Sequence, residues 1–377
     1  MKKLFALLLT AAMILSMVAC GSTSSASNGT TAAPQGTEAS GTESGEKDPT
    51  ALNLSGKKLT IGTQAKAAGL YVYVAQEMGL FEDAGLDVEI VTFASGAPIN
   101  EAMAAGELDV AVSGMATVYA LATGMYTYVG DGTITVNGQA IFARADSDIA
   151  KAGNYSGNII GSPETVKGCS ILGPLSTAAH YDAISYVNTF GLTSDDFSMV
   201  SMEYAQAYEA FITGQGDLLA TTPPYSSQLA ADPNYVKVAD LYDVMGAPLV
   251  DTISVQNEFA ETRGDDLVAL LECLYSAMDT LANDDALRAE YGMKIYASEG
   301  TTYTEEDMAS EIANQSYFTW DMLRENTYEF GATMTNIGAF FVDQGMIEAE
   351  DYPNIQASMD HSFVERAIAY HDAKNAE

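Results

Sequence analysis

The 377 residues are 47% apolar, enough for one or two packed cores, and a mean hydropathy of +0.03 excludes a multi-pass membrane protein. Sixteen Lys and Arg stand against 51 Asp and Glu, a net charge of −35 that repels phosphate backbones and argues against nucleic acid as a partner. Three Cys cannot build a disulfide framework, and three His without a neighbouring Cys form no ordinary zinc site, so no metal or other cofactor is expected.

The chain opens MKKLFALLLTAAMILSMVAC. Lys2 and Lys3 precede an apolar run from Leu4 to Val18, broken only by Thr10 and Ser16, and Ala19 precedes Cys20. The pattern predicts a signal peptide over residues 1–19, too short and too soon ended for a membrane span. Met17-Val18-Ala19-Cys20 resembles a bacterial lipobox, which implies a lipid on Cys20; the plainer alternative is a secretory signal with an incidental Cys. From Gly21 to Pro49 nothing apolar is larger than Ala. Such a stretch cannot offset its ordering entropy, so residues 20–52 are read as a lipidated Cys and a flexible tether, reaching about 30 Å for roughly 30 residues. The expected location is the extracytoplasmic face of a cell membrane, held by lipid alone.

Beyond Lys57 short apolar runs alternate with helical patterns. Lys58–Gln64, Leu86–Phe93 and Leu108–Gly114 read as strands. Leu70–Met78, Ile99–Ala105 and a segment through Ala122 read as the helices between and after them. After Ala150 the theme returns. Cys169–Pro174, Asp196–Met202 and Gly216–Pro224 are predicted strands, with helices over Ser176–Thr189 and Ala205–Ile212. Glu101–Gly114 and Glu209–Thr222 align without gaps, Gly106 meeting Gly214 and Asp109 meeting Asp217. Asn137–Arg144 and Pro248–Asn257 read as extended segments that leave the first lobe and return to it. Asp266–Leu281, Asp285–Tyr296, Glu305–Arg324, Met334–Gln344 and Phe363–Ala373 carry helical periodicity.

KLTIGTQ followed by YVYVAQEMGLFEDAGLDVEIVTF, and later VKGCSILGPLSTAAHYDAISYVNTFGLTSDDF, resemble the substrate-binding proteins of ABC importers. The nearest group binds aliphatic sulfonates, taurine, nitrate and thiamine precursors. The likeness covers roughly residues 58–258. It implies an α/β, type II periplasmic-binding-protein fold: two mostly parallel sheets flanked by helices and joined by two crossing strands. The expected lobes are 53–140 with 252–377, and 141–251 between them. It further implies a small-molecule ligand in the cleft, an ABC permease with its ATPase as partners, and a monomer.

Ligands of open α/β sheets bind beyond the carboxyl ends of strands, which points to four loops. The first carries Thr63 and Gln64, with Tyr71 and Tyr73 on the helix after it, and the second Ser113 and Gly114. The third carries Ser176, Thr177 and His180, and the fourth Thr222. Each offers hydroxyl, amide, imidazole, phenol or backbone N–H groups, and helix N-termini aim further amides at the cleft. The blander reading makes the Ser and Thr helix caps and His180 a structural hydrogen-bonder. Tyr204 and Tyr208 could stack on a ring or cage an amine, and Asp251 on the returning strand could face a cationic ligand. Arg144 reads as a surface residue between the lobes, and Lys66 is the one cation in the four loops.

These features leave the ligand open between a small organic anion and an aromatic or amine metabolite. The sequence carries no nucleophile elbow, HExxH or P-loop, and no catalytic residue is assigned. A pyrimidine-synthase-like enzyme on the same fold would need a Cys-rich motif, whereas Cys169 and Cys273 are isolated. A surface binding protein without transport partners is the other alternative.

Overall fold

The computed structural model describes residues 51–376. The expected signal peptide, Cys20 and nearly all of the tether lie outside them. At the start of the described chain, Leu52 packs on the first core, and Asn53 and Ser55 donate backbone N–H groups to Asp265 and Asp266 at 3.0 and 2.8 Å.

Four strands come first: β1 (Leu59–Thr63), β2 (Val88–Thr92), β3 (Val110–Ser113) and β4 (Tyr126–Thr135). Then come β5 (Ala140–Arg144), a small hairpin of β6 (Asn154–Ser156) and β7 (Ile159–Ile160), and β8 (Ser170–Gly173). They are followed by β9 (Ser198–Ser201), β10 (Leu218–Thr221) and β11 (Tyr235–Asp240). The last two are β12 (Leu249–Gln256) and β13 (Gln315–Tyr317). A six-stranded sheet runs β13-β4-β12-β3-β1-β2 and a five-stranded sheet β11-β5-β10-β8-β9. The chain crosses from one to the other at 136–139 and returns at 241–248. The return therefore precedes Leu249, and Asp251, expected at the end of the second lobe, lies on the six-stranded sheet.

Both sheets are mixed rather than mostly parallel. β1 pairs parallel with β2 and β3, while β12 pairs antiparallel with β3 and β4. In the other sheet β8 pairs parallel with β9 and β10, while β5 runs antiparallel between β10 and β11. The parallel half of each sheet comes from strand–helix units, whose crossovers reverse the chain twice. The antiparallel half comes from the strands that flank the crossings.

The internal echo is structural. The helices Gly96–Ala104 and Tyr204–Ile212, and the strands β3 and β10, occupy matching positions in the two sheets. The aspartate that begins each strand does the same work. Asp109 accepts the Thr60 N–H at 2.9 Å and Asp217 the Ser170 N–H at 2.8 Å, each tying its strand to its parallel neighbour.

Three segments depart from the sequence expectation. β4 lies between the predicted elements, and it carries two glycines, Gly130 and Gly132. They admit close neighbours: a Cβ on Gly132 would lie 2.5 Å from the Tyr71 hydroxyl, and on Gly130 2.8 Å from that of Tyr275. β11 escaped because it is an edge strand with a register shift at Lys237–Ala239. The helix expected over Glu305–Arg324 stops at Asn314, since Gln315–Tyr317 pairs with the open edge of β4. Thr319 then caps a new short helix.

The largest core packs the Gly264–Asn283 helix against the six-stranded sheet, with Leu267, Leu270, Leu271 and Leu274 fully buried. Each such side chain contributes about 1.5–3 kcal/mol of transfer free energy. The five-stranded sheet has its own core around Ile141, Ile171, Tyr186 and Leu218. Two rigid sheets thus hold four strand ends toward a common space.

Candidate functional site

A cavity lies between the sheets, and all four strand-end loops reach it. Gln64 and Lys66 follow β1, Gly114–Ala116 follow β3, Thr177 and Ala178 follow β8, and Thr222 and Pro223 follow β10. Its volume is about 40 Å³. On the same measure a water needs roughly 10–15 Å³, so the space holds about three waters or a ligand of a few heavy atoms.

Of the residues expected at the site, Gln64, Gly114, Thr177, Tyr204, Thr222 and Asp251 line this cavity. Six others lie elsewhere. Thr63 is fully buried, its hydroxyl 2.1 Å from where a Cβ on Gly69 would stand. Tyr71 is buried beneath β4, edge-on to Tyr317 at 5.9 Å. Tyr73 bonds Thr92 at 2.8 Å, and Ser113 sits under Gly96. Ser176 adopts a left-handed backbone (φ 56°), and its N–H donates to His180 Nδ1 at 3.3 Å. That bond requires an unprotonated Nδ1, in accord with burial pushing the imidazole pKa down to about 4. His180 therefore serves its own loop. Tyr208 stacks on Tyr225 with ring centroids 5.0 Å apart, outside the cavity lining. Arg144 lies over the Phe211 ring and donates to the Phe211 and Gly216 carbonyls, closing the end of the Tyr204–Ile212 helix.

Further lining residues come from parts of the chain that pattern reading left out. Thr135 ends β4, Gln139 lies on the first crossing, and Gln315 begins β13 opposite Thr135. Tyr303 and Glu311 complete that wall. Glu311 accepts from the hydroxyls of Tyr296 and Tyr303 at 3.0 and 2.9 Å, with the Arg288 guanidinium 3.6 Å away. No local motif marks these positions; only the sheet order β13-β4-β12 collects them.

Asp251 and Lys66 set the electrostatics. Burial raises the Asp251 carboxyl to about 7, with Lys66 pulling the other way. Burial lowers the Lys66 ammonium, opposed by Asp251, Glu203 and Glu311. Gly114 is what lets the carboxylate in, since a Cβ there would lie 2.7 Å from Asp251 Oδ1. Lys66 lies over the Tyr204 ring at 5.1 Å from its centroid, joining the β1 loop to the helix after β9. Nearby, Ser95 Oγ donates to Glu203 across the same gap at 3.3 Å. Lys66 and Tyr204 also line an outer groove of about 450 Å³ that includes Phe93, Tyr225 and Glu299. With Gln64, Thr222 and Pro223 they form the partition between groove and cavity.

The model of the NMT1-like family matches residues 53–295, which include all four strand-end loops and the Asp251 strand. The chain belongs to the NMT1-like family. A proposed ABC transporter periplasmic binding protein of Brachyspira hyodysenteriae is 27% identical over 292 residues, covering 77% of this chain and 83% of its own. Solved structures share the fold. The alkanesulfonate-binding protein SsuA of Xanthomonas axonopodis pv. citri, bound to MOPS, matches with TM-score 0.61 at 18% identity, covering 81% of this chain and 98% of its own. The periplasmic nitrate-binding protein NrtA of Synechocystis PCC 6803 matches with TM-score 0.64 at 15% identity, covering 82% and 88%. The desulfurization enzyme DSZB matches with TM-score 0.56 at 12% identity, covering 84% and 99%. This NMT1-like chain therefore has the two-sheet α/β fold of periplasmic binding proteins.

Proposed function

We propose that this chain is an extracytoplasmic solute-binding protein, tethered through a lipid on Cys20, that captures a small polar metabolite between two lobes and passes it to an ABC permease. The observation that carries the reading is the polar cavity at the carboxyl ends of β1, β3, β8 and β10. The family and the names of its relatives agree with it. In this reading the lobes close about 136–139 and 241–248, where backbone dihedrals absorb the motion. A thermal-shift screen of sulfonates, carboxylates, amines and aminopyrimidines should find a compound that raises the melting temperature by mass action, unchanged after incubation. Product formation from the hit in plain buffer would favour an enzyme, the reading that the likeness to DSZB supplies.

The side chains supply little for that alternative. Cys169 and Cys273 are buried in separate cores, and burial holds both thiols above their ordinary range. His180 is held neutral by its own loop.

The tether has its own test. Cys20→Ser should move the protein from the membrane to the soluble fraction, because the remaining segment has too little apolar surface to bind a bilayer. Equal membrane retention of the variant would remove the lipid anchor and leave the solute-binding reading standing.

A further inference from the structure

One wall of the cavity carries hydrogen-bond acceptors without matching donors. Asp251 is 6% exposed, and its carboxylate takes no hydrogen bond and no ion pair within 4.0 Å among the described residues. Gln139 and Gln315, 8% and 7% exposed, each hold a side-chain oxygen that is buried and unpartnered. Topology brings the three together. Thr135 pairs with Leu249 on one side and Gln315 on the other, Asp251 lies two residues beyond Leu249, and Gln139 follows Thr135 into the crossing. Glu311 lines the same wall with both oxygens already committed to tyrosine hydroxyls.

Lys66 lines the same cavity and acts on Asp251 at a distance, but it lies over the Tyr204 ring and makes no ion pair with the carboxylate within 4.0 Å. An anion against Asp251 would meet like charge, which repels more strongly in a buried site than in water. A group rich in N–H donors would satisfy the two buried amide oxygens, which are costly to leave unpaired, and meet the Asp251 carboxylate.

We propose that the wall formed by Asp251, Gln139 and Gln315 is a subsite for a positively charged, N–H-bearing nitrogen of the ligand. This rests on the solute-binding reading and names the chemistry of its site. Asp251 meets the charge, and the two amide oxygens accept the remaining N–H groups. The small volume restricts that end of the ligand to an ammonium, amidinium or guanidinium with little bulk around it.

The test is calorimetry on the full chain with six probes of similar size. Acetamidinium, methylguanidinium and ethanolammonium are the cations; acetate, nitrate and methanesulfonate are the anions. At pH 8 at least one cation should bind, and Asp251→Asn and Gln139→Leu should each weaken it by about tenfold or more. Binding should also weaken from pH 8 to pH 6, as protons compete for Asp251. The other groups around that carboxyl are Lys66, Tyr71, Tyr204 and Tyr317, with Glu311 on the same wall held by Arg288; burial keeps the three phenols neutral across that range. Circular dichroism on both variants separates lost binding from lost fold. If an anion binds and no cation does, the subsite is wrong and the solute-binding reading stands. Equal cation affinity in both folded variants and wild type overturns the subsite alone. Silence from all six probes overturns it together with the reading beneath it.

Discussion

Replacing Arg288 with Ala should lower the unfolding free energy by about 3–5 kcal/mol, a loss readable in a urea titration. Arg288 is 2% exposed and is the cation nearest a fully buried Glu311. Its Nη1 donates to the Gln315 carbonyl at 2.7 Å, and its guanidinium covers the Tyr317 ring at 4.6 Å from the centroid. Removing it strands the Glu311 carboxylate in a medium that penalises charge, although two tyrosine hydroxyls still donate to it. Burial already raises the Glu311 pKa with Arg288 in place, so the variant should push it further. The double variant Arg288→Ala with Glu311→Gln should recover part of the loss, because no charge is then left unpaired. A double variant as unstable as the sum of the singles would show that packing over Tyr317, and not the charge pair, carries the effect.

The opposite sign is expected at Asp182. This residue of the Ala178–Thr189 helix is 1% exposed, and neither carboxylate oxygen has a partner among the described residues. Burial holds its pKa well above the usual carboxylate range, with Asp240 and Asp243 adding to the shift and Lys237 opposing it. A raised folded-state pKa means that the folded chain binds the proton more tightly than the unfolded chain. Its contribution is complete below the unfolded carboxyl range, near pH 4, and is lost as pH rises toward the folded value. Asp182→Leu keeps the branched shape of the side chain, with bulkier methyls in place of the oxygens, and deletes the ionisable group. At pH 8 the variant should be more stable than wild type by about 1–3 kcal/mol, and the difference should shrink toward pH 4.5. Urea midpoints at pH 4.5, 6 and 8 decide it; parallel curves would show that Asp182 is not the group being strained.

The parallel halves of both sheets could be read because their signals are local. Gly106 and Gly214 end matching helices, and Asp109 and Asp217 open matching strands. The antiparallel halves could not. The glycines of β4 are there for the hydroxyls of Tyr71 and Tyr275, partners that no window around residue 130 contains. The site divides in the same way. Gln64, Gly114, Thr177 and Thr222 follow predicted strands and were found by position alone. Gln139, Glu311 and Gln315 reach the cavity through pairing between strands far apart in sequence. Tyr71 and Tyr73 do not line the cavity: Ala67–Ala75 is buried on every face, so helical spacing gave no cleft side.

The partition of Lys66 and Tyr204 has a kinetic consequence. A molecule that passes between the inner space and the outer groove moves past that pair, so on this route its residence time includes a barrier set partly by side chains lying between the two compartments. Tightening the pair in the empty protein would slow capture by this route and weaken apparent affinity, because only the parted fraction can accept cargo through it. Loosening it would speed both entry and escape. A carrier that must surrender what it holds is served by a contact of middling strength, and a cation resting on an aromatic face at 5.1 Å is of that kind.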